Sequence, residues 1–197
     1  MGLIQVSSTV KAGTSTFCED FCDKWPIYSH ITLKDPRDII KFHNIKNLNS
    51  ENAQEKIFEE HFAVINIYDR LKDNIIFDGS ILNDLSNLFY LKQLHDKKIS
   101  DEFIVKMVYT VKRELSKNDI IFYIPIIGSL DIKFNAKLAE YRGSIDNILG
   151  MFKKSYDTHE GTYFPLEDSP AMLDIMGDRT ERTHMAALYI NLDGTFA

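Results

Sequence analysis

The sequence predicts an α/β domain: a parallel sheet covered by helices on both faces. Three observations carry that prediction. Short apolar runs alternate along the chain with longer stretches of helical periodicity. The apolar runs, such as Leu3-Ile4-Gln5-Val6 and Ile120-Ile121-Phe122-Tyr123-Ile124, are nearly continuous, as strands buried on both faces are. The chain's 197 residues, 44% of them hydrophobic, suit one domain with a sizeable core.

Each element has its own local reason. Leu3–Val6 is a strand that leads through the small-residue loop Ser7–Gly13 into a helix over Thr14–Trp25. In that helix Phe17, Phe21 and Trp25 recur every four residues, as do Cys18 and Cys22, and Pro26 ends it. Ile31–Leu33 is a second strand, after which Asp35-Pro36 opens a helix, because proline is tolerated in a first turn. Between Asn52 and Leu71, the residues Ile57, His61, Val64, Tyr68 and Leu71 share one helical face. Asn74–Asp78 is an apolar strand that ends on a carboxylate, and Ser80–His95 follows as a helix. Asp101–Ser116 is a further helix with Phe103, Met107, Val111 and Leu115 in register. Asp119–Ile124 is the next buried strand, bounded by Pro125. Asn135–Tyr156 reads as helix although Gly143 and Gly150 weaken it. Leu173–Met176 is the last strand, followed by Gly177 and a helix from Thr180 to Ile190. The most loop-like stretch is His159–Pro170, and there is no repeat, linker or low-complexity segment.

Composition narrows the function. A net charge of −6 without a basic stripe argues against a polymeric nucleic-acid partner. No apolar run approaches the roughly 18 residues that span a bilayer. Met1–Val6 is too short and uncharged for a secretory signal, and although Gly2 and Ser7 fit a lipidation pattern, they read better as a buried strand. Cys18 and Cys22, alone and four apart, neither staple a fold nor complete a zinc site, so a reducing, cytoplasmic setting is expected.

In such sheets ligands bind beyond the carboxyl ends of the strands, and four of these ends carry suggestive residues. The first is Ser8-Thr9-Val10-Lys11-Ala12-Gly13-Thr14-Ser15-Thr16. Small residues let backbone N–H groups curl around an anion, and a helix N-terminus aims at it. The segment matches the spacing G-x-x-x-x-G-K-[ST], with Ser8 in place of the first glycine and Thr14 in place of the lysine. Gly13 and Ser15 fit, and Lys11 is the nearest replacement cation. The alternative is an ordinary turn with a threonine-rich cap. The second is Asp78, placed to hold Mg²⁺ through water, or else to cap the next helix, a role Ser80 fills equally well. The third is Asp35, which could accept a proton from a substrate hydroxyl or position it, or simply start its helix. The fourth is the set Lys133, Lys137 and Arg142, either a cationic clamp for a transferring phosphoryl group or a solvated helix face. Arg142 stands out because guanidinium binds phosphate bidentately. The six histidines show no ligand spacing, and His61 reads as a hydrogen-bonded core residue.

Taken together, these segments resemble the P-loop nucleoside/nucleotide kinases, nearest to NadR-like kinase/ATPase domains of phage and bacteria and to thymidylate kinases. Ile76–Asn83 is similar to that group's apolar-apolar-Asp-Arg-Ser-x-x-Asp motif, with Gly79 where the arginine stands. Asp119–Pro125, Tyr141–Asp146, Ile175–Arg182 and Thr32–Pro36 resemble its next strand, its arginine-bearing lid helix, its final strand and glycine turn, and its acceptor segment. The resemblance spans nearly the whole chain. It implies a single three-layer domain over 1–197, with a five-stranded parallel sheet and a helical lid at about 130–157. It also implies ATP and Mg²⁺ as cofactors, and phosphoryl transfer to a nucleoside or nucleoside monophosphate, with a homodimer allowed. On that basis Lys11, Asp35 and Arg142 are the catalytic candidates. Ser8, Gly13, Thr14, Ser15, Thr16, Lys137 and Gly177 are the ATP-binding ones, and Ser15 with Asp78 the metal ligands. Both departures from the motifs remove cations, so a non-catalytic kinase-like protein that binds a nucleotide or a partner is the alternative.

Overall fold

A computed structural model describes residues 2–95, 98–126, 135–160 and 170–197. Among these residues five strands, β1 (Leu3–Ser8), β2 (Ser29–Thr32), β3 (Ile75–Asp78), β4 (Ile120–Ile124) and β5 (Ala171–Asp174), form one sheet in the order β2-β3-β1-β4-β5. Every pairing is parallel. Among the described residues, seven helices connect and cover it: α1 (Thr14–Lys24), α2 (Pro36–Phe42), α3 (Glu51–Leu71), α4 (Ile81–Leu94), α5 (Asp101–Leu115), α6 (Ala136–Thr158) and α7 (Arg179–Ala186).

The period-two alternation of the central strands sorts the core into two layers. Leu3, Ile75, Phe77, Ile121 and Tyr123 face one side, under α3, α4, α5 and α6. Ile4, Val6, Ile76, Ile120, Phe122 and Ile124 face the other, under α1 and α7. The aromatic stripe of α1 is buried as its spacing predicts, with Phe21 stacked among Trp25, Tyr28 and Phe122 at centroid distances of 4.5, 5.2 and 6.0 Å.

Several boundaries differ from the sequence reading. β5 begins two residues earlier than expected, because pairing with β4 sets its register from Ile120↔Ala171 to Tyr123↔Asp174. α7 stops at Ala186, and the chain then turns so that the Asn191 carbonyl accepts from the Trp25 indole at 2.8 Å. The buried stripe of α3 runs through Ile57, Phe58, His61 and Ile65, which leaves Leu71 exposed. Of the span read as a helical lid, the described part is α6, and its Ile145, Ile148, Leu149 and Phe152 belong to the core.

β1 lies between β3 and β4; the connection that leaves β1 runs to β2 at one edge, and the connection that leaves β3 crosses β1 to β4 on the other side. Its C-terminal end is therefore the switch point of the topology, where such sheets form a crevice.

Phe21→Ala removes a fully buried ring from this layer and should lower unfolding free energy by about 3–5 kcal/mol. Urea denaturation should show a lower midpoint at unchanged slope. Leu192→Ala, at a residue 93% exposed, should change stability by no more than about 0.5 kcal/mol.

Candidate functional site

The loop between β1 and α1 sits at that switch point. Gly13 takes φ 86° as the N-cap of α1, a left-handed conformation that side chains disfavour. A Cβ there would also fall 2.9 Å from Arg182 Nη1. Lys11 adopts φ 60°, a conformation that costs a non-glycine residue roughly 1–2 kcal/mol. Ser8 and Thr14, the two residues that depart from the phosphate-loop spacing, are bonded to each other, Oγ to Oγ1, at 3.0 Å. A neutral hydroxyl bridge thus spans the loop where the motif calls for an ammonium.

Ser15 Oγ donates to Asp78 Oδ2 at 2.5 Å, joining the first turn of α1 to the end of β3. His30 Nε2 lies 3.8 Å from the same oxygen. Ser80, rather than Asp78, caps α4, since its hydroxyl accepts from the Leu82 N–H. A hydroxyl and a carboxylate are hard oxygen donors of the kind Mg²⁺ accepts alongside water and substrate phosphates. Among the described residues no group of three or more His, Cys, Asp or Glu forms a self-sufficient metal cage. The donor set therefore fits an ion that completes its shell with phosphate and water.

Gly79, in place of the motif's arginine, has φ 122°, and a Cβ on it would meet Leu33 at 3.3 Å. The backbone has taken a conformation that a long side chain would strain.

Cavities flank the loop. The first, of about 420 Å³, is lined by Val10, Asp35, Arg37, Asp84, Tyr90 and Tyr141 among others. Asp35 caps α2 through the Arg37 N–H at 2.8 Å and holds the Arg37 guanidinium with both carboxylate oxygens. That side-chain bond keeps the Asp35 carboxyl below its ordinary pKa, against the upward pull of burial. The second cavity, of about 310 Å³, is lined by Lys11, Gly13, Thr16, Asp20, Gly177 and Arg182 among others.

Arg142 is buried instead of lying on a solvated face, and its Nε donates to Thr9 Oγ1 at 3.3 Å. Asp146, one turn further on, accepts from the Tyr123 hydroxyl at 2.9 Å and the Ile126 N–H at 3.1 Å. These bonds fasten α6 to the end of β4, so Arg142 is held against the loop. Lys137 is exposed at the start of α6 and lines neither cavity. Lys133 lies outside the described residues.

With the geometry in view, comparison with known proteins settles the fold. No protein-family model matches the chain, and no curated sequence does. Among solved structures, thymidylate kinase from Candida albicans superposes with TM-score 0.56 at 15% identity, over 94% of this chain and 88% of that one. Deoxyadenosine kinase from M. mycoides, solved with bound dCTP, superposes with TM-score 0.53 at 15% identity, over 94% of this chain and 97% of that one. The same kinase, with the products dCMP and a flexible dCDP, gives TM-score 0.52 over the same shares. The fold is that of the P-loop nucleotide kinases.

Within this P-loop kinase fold, several residues at the site were not among the sequence candidates, although Asn83 closes the Ile76–Asn83 motif and Arg182 the Ile175–Arg182 segment. Asn83 accepts from the Ser7 hydroxyl at 2.7 Å and the Ser8 N–H at 3.2 Å, tying α4 to the start of the loop. Arg182 of α7 donates to the carbonyls of Ala12 and Gly177. Asn87 accepts a hydrogen bond from the Tyr141 hydroxyl at the wall of the larger cavity. His61 was legible as a bonded core residue, but its partner was not. Its Nδ1 lies 2.6 Å from Asp84 Oδ2 and its Nε2 2.9 Å from the Lys34 carbonyl. The carbonyl can only accept, and so can the carboxylate when ionised, so both ring nitrogens carry protons. Burial opposes that charge. The Asp84 carboxylate and the two hydrogen bonds outweigh burial and push the His61 pKa up to about 9.

The sign of the pH effect follows. A raised pKa stabilises the fold fully below the unfolded value, 6.5, and the contribution is lost as pH climbs through about 9. At 1.36 kcal/mol per pKa unit the loss is on the order of 3 kcal/mol. Chemical denaturation from pH 6.5 to 9.5 should show the wild type weakening across this window. Asp84→Asn should lack that slope and be less stable at pH 6.5.

Proposed function

We propose that the chain binds ATP with Mg²⁺ at the loop Ser8–Thr16 and transfers the terminal phosphoryl group to a nucleoside or nucleoside monophosphate. The donor's base side occupies the cavity beside Gly177, and the acceptor occupies the larger cavity beside Asp35. The observation that carries this reading is the 2.5 Å contact of Ser15 with Asp78. Two hard oxygen donors meet at the N-terminus of α1, an arrangement that supports the reading of a magnesium-bound polyphosphate there.

Each residue then has a task. Ser15 and Asp78 hold the metal, which, when bound, neutralises charge on the phosphates. The amides at the N-terminus of α1 add the positive end of the helix dipole. Arg142, fixed on Thr9, adds a cation from the other side of the loop. Asp35, tied to Arg37 and hence a poor base, orients the acceptor rather than deprotonating it. Phosphoryl transfer tolerates this, because its loose transition state asks for alignment and charge stabilisation more than for a strong base. Lys11, exposed on the outer cavity, meets the donor nucleotide from outside the loop, whereas Lys137 at the start of α6 lines neither cavity and has no task in this reading.

A second reading is a kinase-like protein that binds nucleotide without chemistry. The Ser8–Thr14 bridge and the backbone at Gly79 favour it, because each occupies a position from which the motif's cation is missing.

Thermal unfolding and mass spectrometry separate the two. MgATP should raise Tm, since a ligand bound only to the native state stabilises it. Asp78→Asn should abolish the part of that rise that depends on Mg²⁺. Incubation of ATP with a panel of nucleosides and monophosphates should yield a phosphorylated acceptor. Asp35→Asn should lower turnover about tenfold or more with little change in ATP affinity, the pattern of a lost transition-state interaction. A Tm rise with no product from any acceptor would establish the second reading. No rise with any nucleotide at millimolar concentration would remove both.

A further inference from the structure

Arg182 is far from the loop in the chain and beside it in the fold. It sits on α7, 170 residues from the loop, yet its Nη1 donates to the Ala12 carbonyl at 2.6 Å. Its Nε donates to the Gly177 carbonyl at 3.0 Å. The guanidinium is half-buried and lines the outer cavity of about 310 Å³. It also lines an adjoining cavity of about 250 Å³ that Ala12 and Arg142 share.

The bonded atom decides what this charge can do. The Ala12 carbonyl and the Gly13 N–H are the two ends of one peptide group. A cation on the oxygen polarises that group and makes its N–H a stronger donor. Gly13 is the N-cap of α1, so its amide is among those that an anion at the helix N-terminus meets. The contact is close enough to constrain the loop residue, since a Cβ on Gly13 would crowd Nη1 at 2.9 Å. Thr14, in the lysine position, brings no charge, and its hydroxyl is engaged with Ser8.

We propose that Arg182, acting through the Ala12–Gly13 peptide, supplies the positive charge that the loop lacks at Thr14, and so strengthens its hold on a polyphosphate. It is a positioning residue, and the proposal rests on the reading above that the loop binds a nucleotide. The competing role is mechanical, a clamp that fixes the turn at Gly177 to the loop.

Calorimetric titration of the whole chain with MgATP and with Mg²⁺-tripolyphosphate distinguishes these. Arg182→Gln should weaken both ligands about tenfold or more, the scale of one lost charged hydrogen bond. Adding Thr14→Lys to that variant returns an ammonium to the loop by its usual route, and should recover most of the loss for both ligands. A mechanical clamp predicts the same loss with no recovery, because a lysine at position 14 cannot fasten Gly177; that result would overturn the proposal. If Arg182→Gln does not fold, Arg182→Lys carries the test, as it keeps the charge without the two-carbonyl grip. Binding within about threefold of wild type supports the charge role. A loss that tracks a lowered Tm overturns it. Wild type that binds, with Arg182→Gln binding equally well, defeats this inference and leaves the nucleotide site standing. Wild type that binds neither ligand defeats both.

Discussion

A strand hydrogen-bonded on both edges and buried on both faces cannot choose where its C-terminal loop emerges, and β1 is such a strand. Its neighbours β3 and β4 fix its height in the sheet residue by residue, from Leu3↔Ile75 to Val6↔Asp78 on one side and from Ile4↔Ile120 to Ser8↔Ile124 on the other. The loop that follows must lie at the switch point, and the end of β3 must bring Asp78 beside it. The Ser15–Asp78 contact, the grip of Asn83 on Ser7 and Ser8, and the flanking cavities all follow from that placement. Gln5 shows how fully the strand is committed. It is buried within β1, and its side chain accepts from the Ile81 N–H at the start of α4 and donates to Asn118, just ahead of β4.

The loop itself trades charge for neutral hydrogen bonding. Ser8 and Thr14 each depart from the usual spacing, and the departures are paired in space. Positive charge is brought by arginines whose backbones lie elsewhere, Arg142 on α6 and Arg182 on α7. A guanidinium suits this task better than an ammonium does, because its planar fork can satisfy two fixed acceptors and still keep its charge when half-buried. Burial does pull the Arg182 pKa down from its ordinary value, but an arginine starts so far above neutrality that it remains a cation.

At the larger cavity, the wall is built around a buried ion pair. His61 and Asp84 are each about 5% exposed and hold α3 to α4, while the other nitrogen of His61 holds the Lys34 carbonyl ahead of α2. Three elements around the larger cavity are thereby set by one imidazolium. Isolated buried charges are costly, and such a pair survives because its hydrogen bonds are satisfied on both sides. Asp35 and Arg37 form a second, more exposed pair at the same rim.

Strand and helix order, the two-layer sorting of the core, the loop between β1 and α1 and the carboxylate at the end of β3 were all legible in the sequence by itself. Each depends on local periodicity or on a residue's place beside a strand end, which chain order records directly. Element ends were less legible, since the register of β5 comes from β4 and the stop of α7 from the turn that docks on Trp25. The partners within the site were the least legible. Ser8 with Thr14 lies six residues apart, His61 with Asp84 is 23 apart, Arg142 with Thr9 is 133 apart and Arg182 with Ala12 is 170 apart. Whether two such side chains meet depends on the rotation and height of each helix over the sheet. Packing sets those quantities, and no pattern within either segment encodes them. Chain order alone therefore marked the loop at the end of β1, and only the tertiary structure decided which charges lie beside it.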